Sequence, residues 1–365
     1  MNPSTLPKLL LSLTLVLLPH TEAKIPGSSG QAQSVQAPTA AKTFANPIVS
    51  SGSPDPFIAF WKGHYYLTYT TGTDIRIRTA RSLADLNSAP EQNVWADFEP
   101  QRSSNVWAPE LHRLKGPNGY RWYVYYTAGT SECCNNQRSF VLESKTDNPL
   151  GPYDFKARVF AKQNDFWAID GTVLEQAGAL FYLWSGGEGE TDPPSTQIYI
   201  APMSNPWTLS GPRVEISRAT ELWETVARGV NEGPAVLRAN GRFYVTYSGS
   251  GCWTDAYALG QLTAPVGANL LYPKSWTKRK RPILQTDVDA RAVAPGHNGF
   301  FSSPDGRQTW TVYHANPDLG LECKDSRTAR AQRVFFDKNG NILLNKPANL
   351  GTPLELPSGD PGPQR

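Results

Sequence analysis

This sequence is short of charge. Of its 365 residues, 18% are Asp, Glu, Lys or Arg, and the formal balance is only +3. No basic run is long enough to follow a nucleic-acid backbone, so nucleic acid is not an expected partner. The nearest, Lys278-Arg279-Lys280-Arg281, ends at a proline and reads as a solvated loop. Long apolar runs are missing beyond the N-terminus, so no later segment could span a bilayer core of about 30 Å. Cysteine is scarce too. Cys133, Cys134, Cys252 and Cys323 have no paired Cys-x-x-Cys spacing, which excludes a zinc motif. Four cysteines allow three pairings, and a vicinal bridge at Cys133-Cys134, two separate bridges and free thiols all stay open. No Asn-x-Ser/Thr sequon with a permitted middle residue occurs, so N-glycosylation is not expected. No sustained 3.6-residue apolar period is found, which argues against a helical core.

What the chain does have is apolar and aromatic material for a sizeable core. Hydrophobic residues make up 39%, with 11 Trp, 15 Tyr and 14 Phe. Gly (30) and Pro (31) are plentiful, as many short strands joined by tight turns require. Lys8, the apolar run Leu9 to Leu18 and the small-x-small pattern Thr21-Glu22-Ala23 form a secretory signal peptide over residues 1–23. Residues 24–43, rich in Ser, Gln, Ala, Pro and Gly, read as a flexible linker. One domain is expected over 44–357, with a loose tail at 358–365. The protein is therefore expected to be secreted and extracellular, and a monomer.

One pattern recurs along that domain. An acidic residue or His stands in a Gly/Pro-containing turn and a strand-like run follows. After a second turn comes an aromatic-rich strand ending in small polar residues. The units start at Ser53-Pro54-Asp55-Pro56, Trp107-Ala108-Pro109-Glu110, Ile169-Asp170-Gly171, Asn231-Glu232-Gly233-Pro234 and Gly296-His297. The lead residues Asp55, Glu110, Asp170, Glu232 and His297 are 55, 60, 62 and 65 residues apart. Each interval suits one four-stranded blade, so the expected fold is all-β, a five-bladed β-propeller. The rival is a pair of β-sandwiches whose acidic residues merely sit in turns, where local hydrogen bonding favours Asp. Five units in matched phase outweigh it. In a closed ring the first strand of each blade lines the channel, so the five lead residues converge on one place.

Carboxylates gathered at a hub suit the hydrolysis of a glycosidic bond. That reaction needs an acid for the leaving oxygen and a carboxylate on the opposite face of the sugar. A third carboxylate can keep the acid protonated by like-charge repulsion. The five motifs, in this order and phase, resemble those of glycoside hydrolase family 43 from about Asn46 to Gly340. The resemblance implies an inverting enzyme on a five-bladed propeller. In it Asp55 is the general base, Glu232 the general acid and Asp170 the residue that tunes and orients the acid. Trp107 matches the aromatic that packs on the bound sugar, and His297 the hub histidine. No cofactor is required on this reading. A calcium ion at the hub, held mostly through water, would face His297, and a lone His does not define such a site. Glu110 is read as structural rather than catalytic.

Trp167 and Trp253 lie beside hub strands or in the loops after them and join Trp107 as candidates for stacking on sugar. Of Arg327, Arg330 and Arg333, Arg330 is the candidate for binding sugar hydroxyls. Within the resemblance, single-domain α-L-arabinofuranosidases fit the Trp107-Ala108-Pro109-Glu110-Leu111 segment and the short ending after the fifth unit better than β-xylosidases. The expected activity is release of terminal arabinofuranose from a plant cell-wall polysaccharide, arabinan or arabinoxylan, or from its oligosaccharides. An endo-arabinanase or β-xylosidase of the same fold is the alternative within the family. A non-catalytic carbohydrate-binding propeller is the alternative outside it, because fold alone does not make an enzyme.

Overall fold

The computed structural model describes residues 42–364, apart from 51, 164 and 345. The expected signal peptide and nearly all of the linker fall outside these residues. Between them lie five antiparallel sheets, each a blade built from consecutive strands. The inner strands are Phe57–Trp61, Ser104–Gly116, Ala168–Gln176, Asn231–Ala239 and Val293–Ser302. Each pairs with a second strand through a tight turn: His64–Thr68, Gly119–Gly129, Ala179–Gly186, Arg242–Gly249 and Thr309–Asn316. The turns at Lys62-Gly63 and Asn240-Gly241 hold both residues at positive φ, the conformation that two-residue hairpins prefer. The expected all-β five-bladed propeller is what the chain forms.

Blade 5 has only three strands of its own, Val293–Ser302, Thr309–Asn316 and Thr328–Arg333. The N-terminal end of the domain completes it. The Ile48 N–H donates to the Ala329 carbonyl (2.8 Å), and the Asn46 side chain bonds both the N–H and the carbonyl of Ala331 (2.8 and 2.9 Å). Thr43–Ala45 also pairs with Pro353–Glu355, so the two ends of the ring are tied together. Residues 353–360 are thus not a loose appendage: Asp360, placed in the expected tail, is buried and accepts from the Tyr65 hydroxyl (3.0 Å) and the Leu83 N–H (2.9 Å).

The apolar residues fill the gaps between blades rather than one central core. Tyr65, Leu67, Trp310 and Val312 pack between blades 5 and 1, and Ile75, Ile77, Trp122 and Val124 between blades 1 and 2. Tyr125, Val141, Tyr182 and Trp184 join blades 2 and 3; Leu183, Ile200, Val245 and Tyr247 join blades 3 and 4; Tyr244, Leu259, Tyr313 and Ala315 join blades 4 and 5. Each such large side chain contributes roughly 1.5–3 kcal/mol by leaving water. This accounts for most of the Tyr and Phe. Lys278 is not part of a solvated basic loop: its ammonium sits 2.6 Å from the fully buried carboxylate of Glu224.

A polar repeat overlies the apolar one. Each second strand ends in an aromatic residue followed by a polar one: Tyr69-Thr70, Tyr126-Thr127, Trp184-Ser185, Tyr247-Ser248 and Tyr313-His314. Each polar side chain reaches the start of the next blade's inner strand. Thr70 Oγ1 accepts from the Ala108 N–H (2.7 Å), Thr127 Oγ1 from Asp170 (3.0 Å), Ser248 Oγ from His297 (2.8 Å) and His314 Nδ1 from Asp55 (3.1 Å). The Ser185 hydroxyl donates to the Asn231 carbonyl (2.9 Å). These bonds fix the five inner-strand entrances around one axis.

Candidate active site

At those entrances the backbone turns left-handed. Asp55, Ala108, Asp170, Gly233 and His297 have φ of 53°, 45°, 57°, 56° and 45°. For the four that are not glycine this conformation costs on the order of 1–3 kcal/mol each, and the bonds from the preceding blade hold it. Register shifts follow in the inner strands of blades 2 to 5, at Trp107/Glu110, Ile169/Thr172, Glu232/Ala235 and Gly296/Gly299. Such bulges re-aim side chains, here toward the axis. Gly171 is required where it stands, because a Cβ there would overlap the Tyr182 hydroxyl.

The repeat has one exception. In blade 4 the left-handed residue is Gly233, and its N–H donates to Asp170 Oδ2 (3.0 Å) instead of to a side chain of blade 3's second strand. Asp170 therefore grips the backbone directly after Glu232. Gly233 also lies against the His297 ring, where a Cβ would come within 3.1 Å.

The entrances surround a cavity of about 590 Å³. Asp55, Trp107, Trp167, Asp170, Glu232, Trp253 and His297 all line it, so seven of the eight side chains expected at the site are brought together. Arg330 is the exception. Its side chain is fully buried between strands and bonds the carbonyls of Arg291 (2.7 Å), Asn316 (3.3 Å) and Ala315 (3.4 Å). Arg330 lies within the third strand of blade 5, opposite Tyr313, and its guanidinium is spent on these carbonyls. The arginine that reaches the cavity from this region is Arg327, at the end of the preceding loop. Glu110 lies two residues beyond the left-handed Ala108, bonded to His112 (2.7 Å) and away from the cavity lining. Trp167 is 2% exposed and donates its ring N–H to the Cys134 carbonyl, so it buttresses the wall and offers little face for stacking. Trp253, also on the cavity lining, is 42% exposed and keeps ring surface open to a sugar.

The carboxylates have opposed environments. Asp55 Oδ2 accepts from Thr70 (2.7 Å) and Oδ1 from Arg327 Nη1 (3.1 Å). Burial acts to raise its pKa, but Arg327, with His297 and His314 adding, holds it well below the usual carboxylate range. Glu232 has no cation bonded to it. Burial pushes it up to about 7, Asp55's charge adds, and the bond from the Tyr257 hydroxyl (2.8 Å) opposes. Burial also drives Asp170 well up, with the charges of Glu232 and Asp55 adding and the Gly233 N–H opposing. One carboxylate stays ionised, and a buried pair beside it keeps a proton near neutrality. Divergent titration of this kind separates a base from an acid. His314 Nδ1 also lies 3.2 Å from Asp55 Oδ1. Burial pushes His314 down to about 4, and the nitrogen already accepts a backbone N–H, so this contact is no salt bridge.

Among the described residues no three His, Cys, Asp or Glu side chains gather as metal ligands. Calcium takes six to eight oxygens, and this donor set does not fit a directly ligated ion.

Several site residues were not apparent from the sequence. Arg228 bonds Asp192 (3.2 Å) and the Pro193 carbonyl (3.0 Å), and its guanidinium lies 5.1 Å from the Trp253 ring. This chain of contacts links the loops of the neighbouring blades 3 and 4 along the cavity wall. Tyr257 was missed as well; it stacks on His314 at 6° and joins the neighbourhoods of Glu232 and Asp55. The aromatic-polar repeat could have revealed His314, which stands in phase with Thr70 and Thr127. Of the pairings the sequence left open, the structure has two separate bridges: Cys133 bonds its neighbour Cys134, and Cys252 bonds Cys323. Cys134 and the second bridge line the cavity.

Five blades around a Trp-walled pocket, with one carboxylate held ionised and a buried pair of carboxylates raised beside it, define a class of carboxylate-bearing propeller. Within it the chain belongs to glycosyl hydrolases family 43, whose sequence profile matches residues 44–342. It is 36% identical over 326 residues to an extracellular exo-α-(1→5)-L-arabinofuranosidase of Streptomyces avermitilis. It is 34% identical over 325 residues to α-L-arabinofuranosidase 43 of Humicola insolens. Each match takes in 87% of this chain and 66% of the relative, so the chain spans a little under two thirds of their length. The crystal structure of an α-L-arabinofuranosidase from Lactobacillus brevis superposes with a TM-score of 0.78 at 31% identity, covering 85% of this chain and 98% of that one.

Proposed function

We propose that the protein is a secreted, inverting α-L-arabinofuranosidase that removes terminal arabinofuranose from arabinan, arabinoxylan or their oligosaccharides. The observation that carries this is the cavity in which Asp55 is held ionised while Glu232 retains a proton. Glu232 donates its proton to the glycosidic oxygen as the bond to the anomeric carbon breaks. Asp55 takes a proton from the water that attacks that carbon from the opposite face. Asp170 holds the acid's backbone through Gly233. The Asp192–Arg228–Trp253 contacts wall the cavity where blades 3 and 4 meet, which supports a pocket that accepts a chain end. The names of the relatives point the same way, and the leader at residues 1–23 supports export.

Sugar release from arabinan, arabinoxylan and xylo-oligosaccharides, with products separated by size, tests this reading. Arabinose alone is expected. Arabino-oligosaccharides would make the enzyme an endo-arabinanase, and xylose a β-xylosidase. Absence of product would favour a binding protein.

The pH dependence of kcat/KM follows from the two carboxylates. Activity is lost as pH rises through about 7, where Glu232 gives up its proton, and on the acid side only well below the usual carboxylate range, where Asp55 gains one. A plateau from acidic to near-neutral pH is expected. A basic limb at pH 9 or above would remove Glu232 as the acid.

Trp253→Ala is expected to raise KM for oligosaccharides roughly three- to tenfold, the worth of one aromatic contact, with kcat nearly unchanged. An unchanged KM would take Trp253 out of the binding site.

A further inference from the structure

One covalent link crosses the cavity wall on the side of the base. Cys252 lies in the loop between the second and third strands of blade 4, and Cys323 in the corresponding loop of blade 5. They are 71 residues apart in sequence, with Cα atoms 5.4 Å apart. Both line the cavity with their neighbours Trp253 and Arg327.

Arg327 is wrapped by the chain that leaves this bridge. Its Nη2 donates to the Cys323 carbonyl (3.3 Å) and its Nε to the Lys324 carbonyl (3.3 Å), leaving Nη1 to reach Asp55 (3.1 Å). Its own carbonyl accepts from the Ser53 N–H (3.0 Å), two residues before Asp55. Within blade 5 the loop is tied through the buried Asn316, whose amide donates to the Glu322 carbonyl (2.9 Å) and accepts from the Ser326 hydroxyl (2.8 Å); its other polar ties are exposed. The ion pairs Arg291–Asp318 and Lys324–Glu322 are both exposed, and the Gly320 N–H bond to Asp255 is exposed as well. Exposed ion pairs of this kind contribute little. Glu322, next to the half-cystine, is also held at a left-handed φ of 59°. The disulfide is what joins the loop covalently to blade 4.

We propose that the Cys252–Cys323 bridge is a positioning clasp, which sets the carbonyls that aim Arg327 at the Asp55 carboxylate. The clasp rests on the reading of Asp55 as general base. The groups facing Asp55 are Arg327 from this loop, His314 and His297 from blade 5, Glu232 from blade 4 and Asp170 from blade 3. Burial lowers the pKa of both histidines, that of His314 to about 4. Arg327 is the permanent cation and the largest of the influences that favour an ionised base, and loosening it leaves Asp55 facing two histidines of lowered pKa and two acids. The acid limb of the rate profile then moves to higher pH.

The test compares kcat/KM against pH for the parent, Arg327→Met, the pair Cys252→Ala/Cys323→Ala, and all three changes together. Arg327→Met is expected to move the acid limb up by about one pH unit or more, as loss of an adjacent cation does. The cysteine pair should move it by at least half as much, and the triple variant no further than Arg327→Met. If the cysteine pair loses thermal stability while its acid limb stays with the parent's, the bridge is only a staple and the clasp is wrong. If Arg327→Met itself leaves the limb in place, the assignment of Asp55 fails first and the clasp with it. Should the cysteine pair not fold, Cys133→Ala/Cys134→Ala protein can be reduced with a phosphine in its folded state. Two titratable thiols then report opening of this bridge alone, and the same shift is required.

Discussion

Glu232→Gln is expected to slow hydrolysis of arabino-oligosaccharides about 10³-fold, within the 10²–10⁴ that a positioned acid supplies. The leaving sugar is a poor alkoxide and needs the proton that Glu232 holds. An aryl arabinofuranoside with a nitrophenolate leaving group does not, so its rate should fall far less. That contrast separates loss of the acid from general damage to the site. Gln is the right replacement because its amide oxygen still accepts from the Tyr257 hydroxyl, which Glu232 Oε1 does at 2.8 Å. The basic limb near pH 7 should vanish with the carboxyl. Stability gives an independent check. Burial raises this carboxyl's pKa, so the folded state holds the proton more tightly than the unfolded chain. The stability this adds is full below about 4.5 and lost as pH rises through about 7. Gln carries no such loss, so the variant's Tm at pH 8 should match or exceed the parent's. Equal losses on the natural and aryl substrates would show that Glu232 is not the acid.

How much of this site could be read from the sequence depended on periodicity. The five blades were legible because each repeats a turn, an inner strand and an aromatic-rich strand ending in a polar residue. Asp55, Asp170 and His297 were legible for the same reason: they occupy the same left-handed position in blades 1, 3 and 5. Glu110 and Glu232 show where phase misleads. In blades 2 and 4 that position belongs to Ala108 and Gly233. Glu232, one residue earlier, still enters the cavity, whereas Glu110, two residues later, pairs with His112 instead. Arg327 and Arg330 are three residues apart, and composition could not tell a loop end that meets the cavity from a strand residue that bonds buried backbone carbonyls. Asp192, Arg228 and Tyr257 were illegible because loops between strands carry no period. Their places depend on which blades become neighbours, and that is settled only when the ring closes.

The repeat also shows how a structural device was converted to chemistry. At four entrances a side chain from the end of the preceding blade's second strand holds the left-handed N–H. At the fifth, Asp170 takes that N–H and thereby couples its own position to Glu232. The residue closing the ring, His314, performs the structural task for Asp55 while stacking on the tyrosine that holds the acid. Acid and base are thus positioned through the same inter-blade bonds that set the geometry of the propeller, which makes their separation a property of the fold rather than of a mobile loop.

Asp55→Asn carries the second large effect, a fall in kcat of about 10⁴-fold, the upper end for loss of a positioned base. Asn is nearly isosteric and can keep the local bonds: its amide oxygen can accept from Arg327 Nη1, and its amide nitrogen can donate to Thr70 Oγ1, in place of the contacts Asp55 makes now. Sugar binding should therefore survive, with arabinose affinity within a few-fold of the parent's by calorimetry. Small carboxylates such as formate must be left out of the buffer, since they can stand in for the missing base. Stability again provides the sign. Asp55's pKa is lowered on folding, so its carboxylate adds stability above the unfolded value, near 3.8, and loses it as pH falls through the depressed folded value. The variant should melt below the parent at pH 7, and the gap should close as the solution is acidified below about 4. A residue that merely shaped the Ser53-Pro54-Asp55-Pro56 turn would behave differently. Its replacement would destabilise the fold by the same amount at every pH and would slow turnover only in proportion to the protein unfolded. A variant that binds arabinose, stays folded at the assay temperature and turns over at a ten-thousandth of the parent's rate leaves Asp55 no other role than the base.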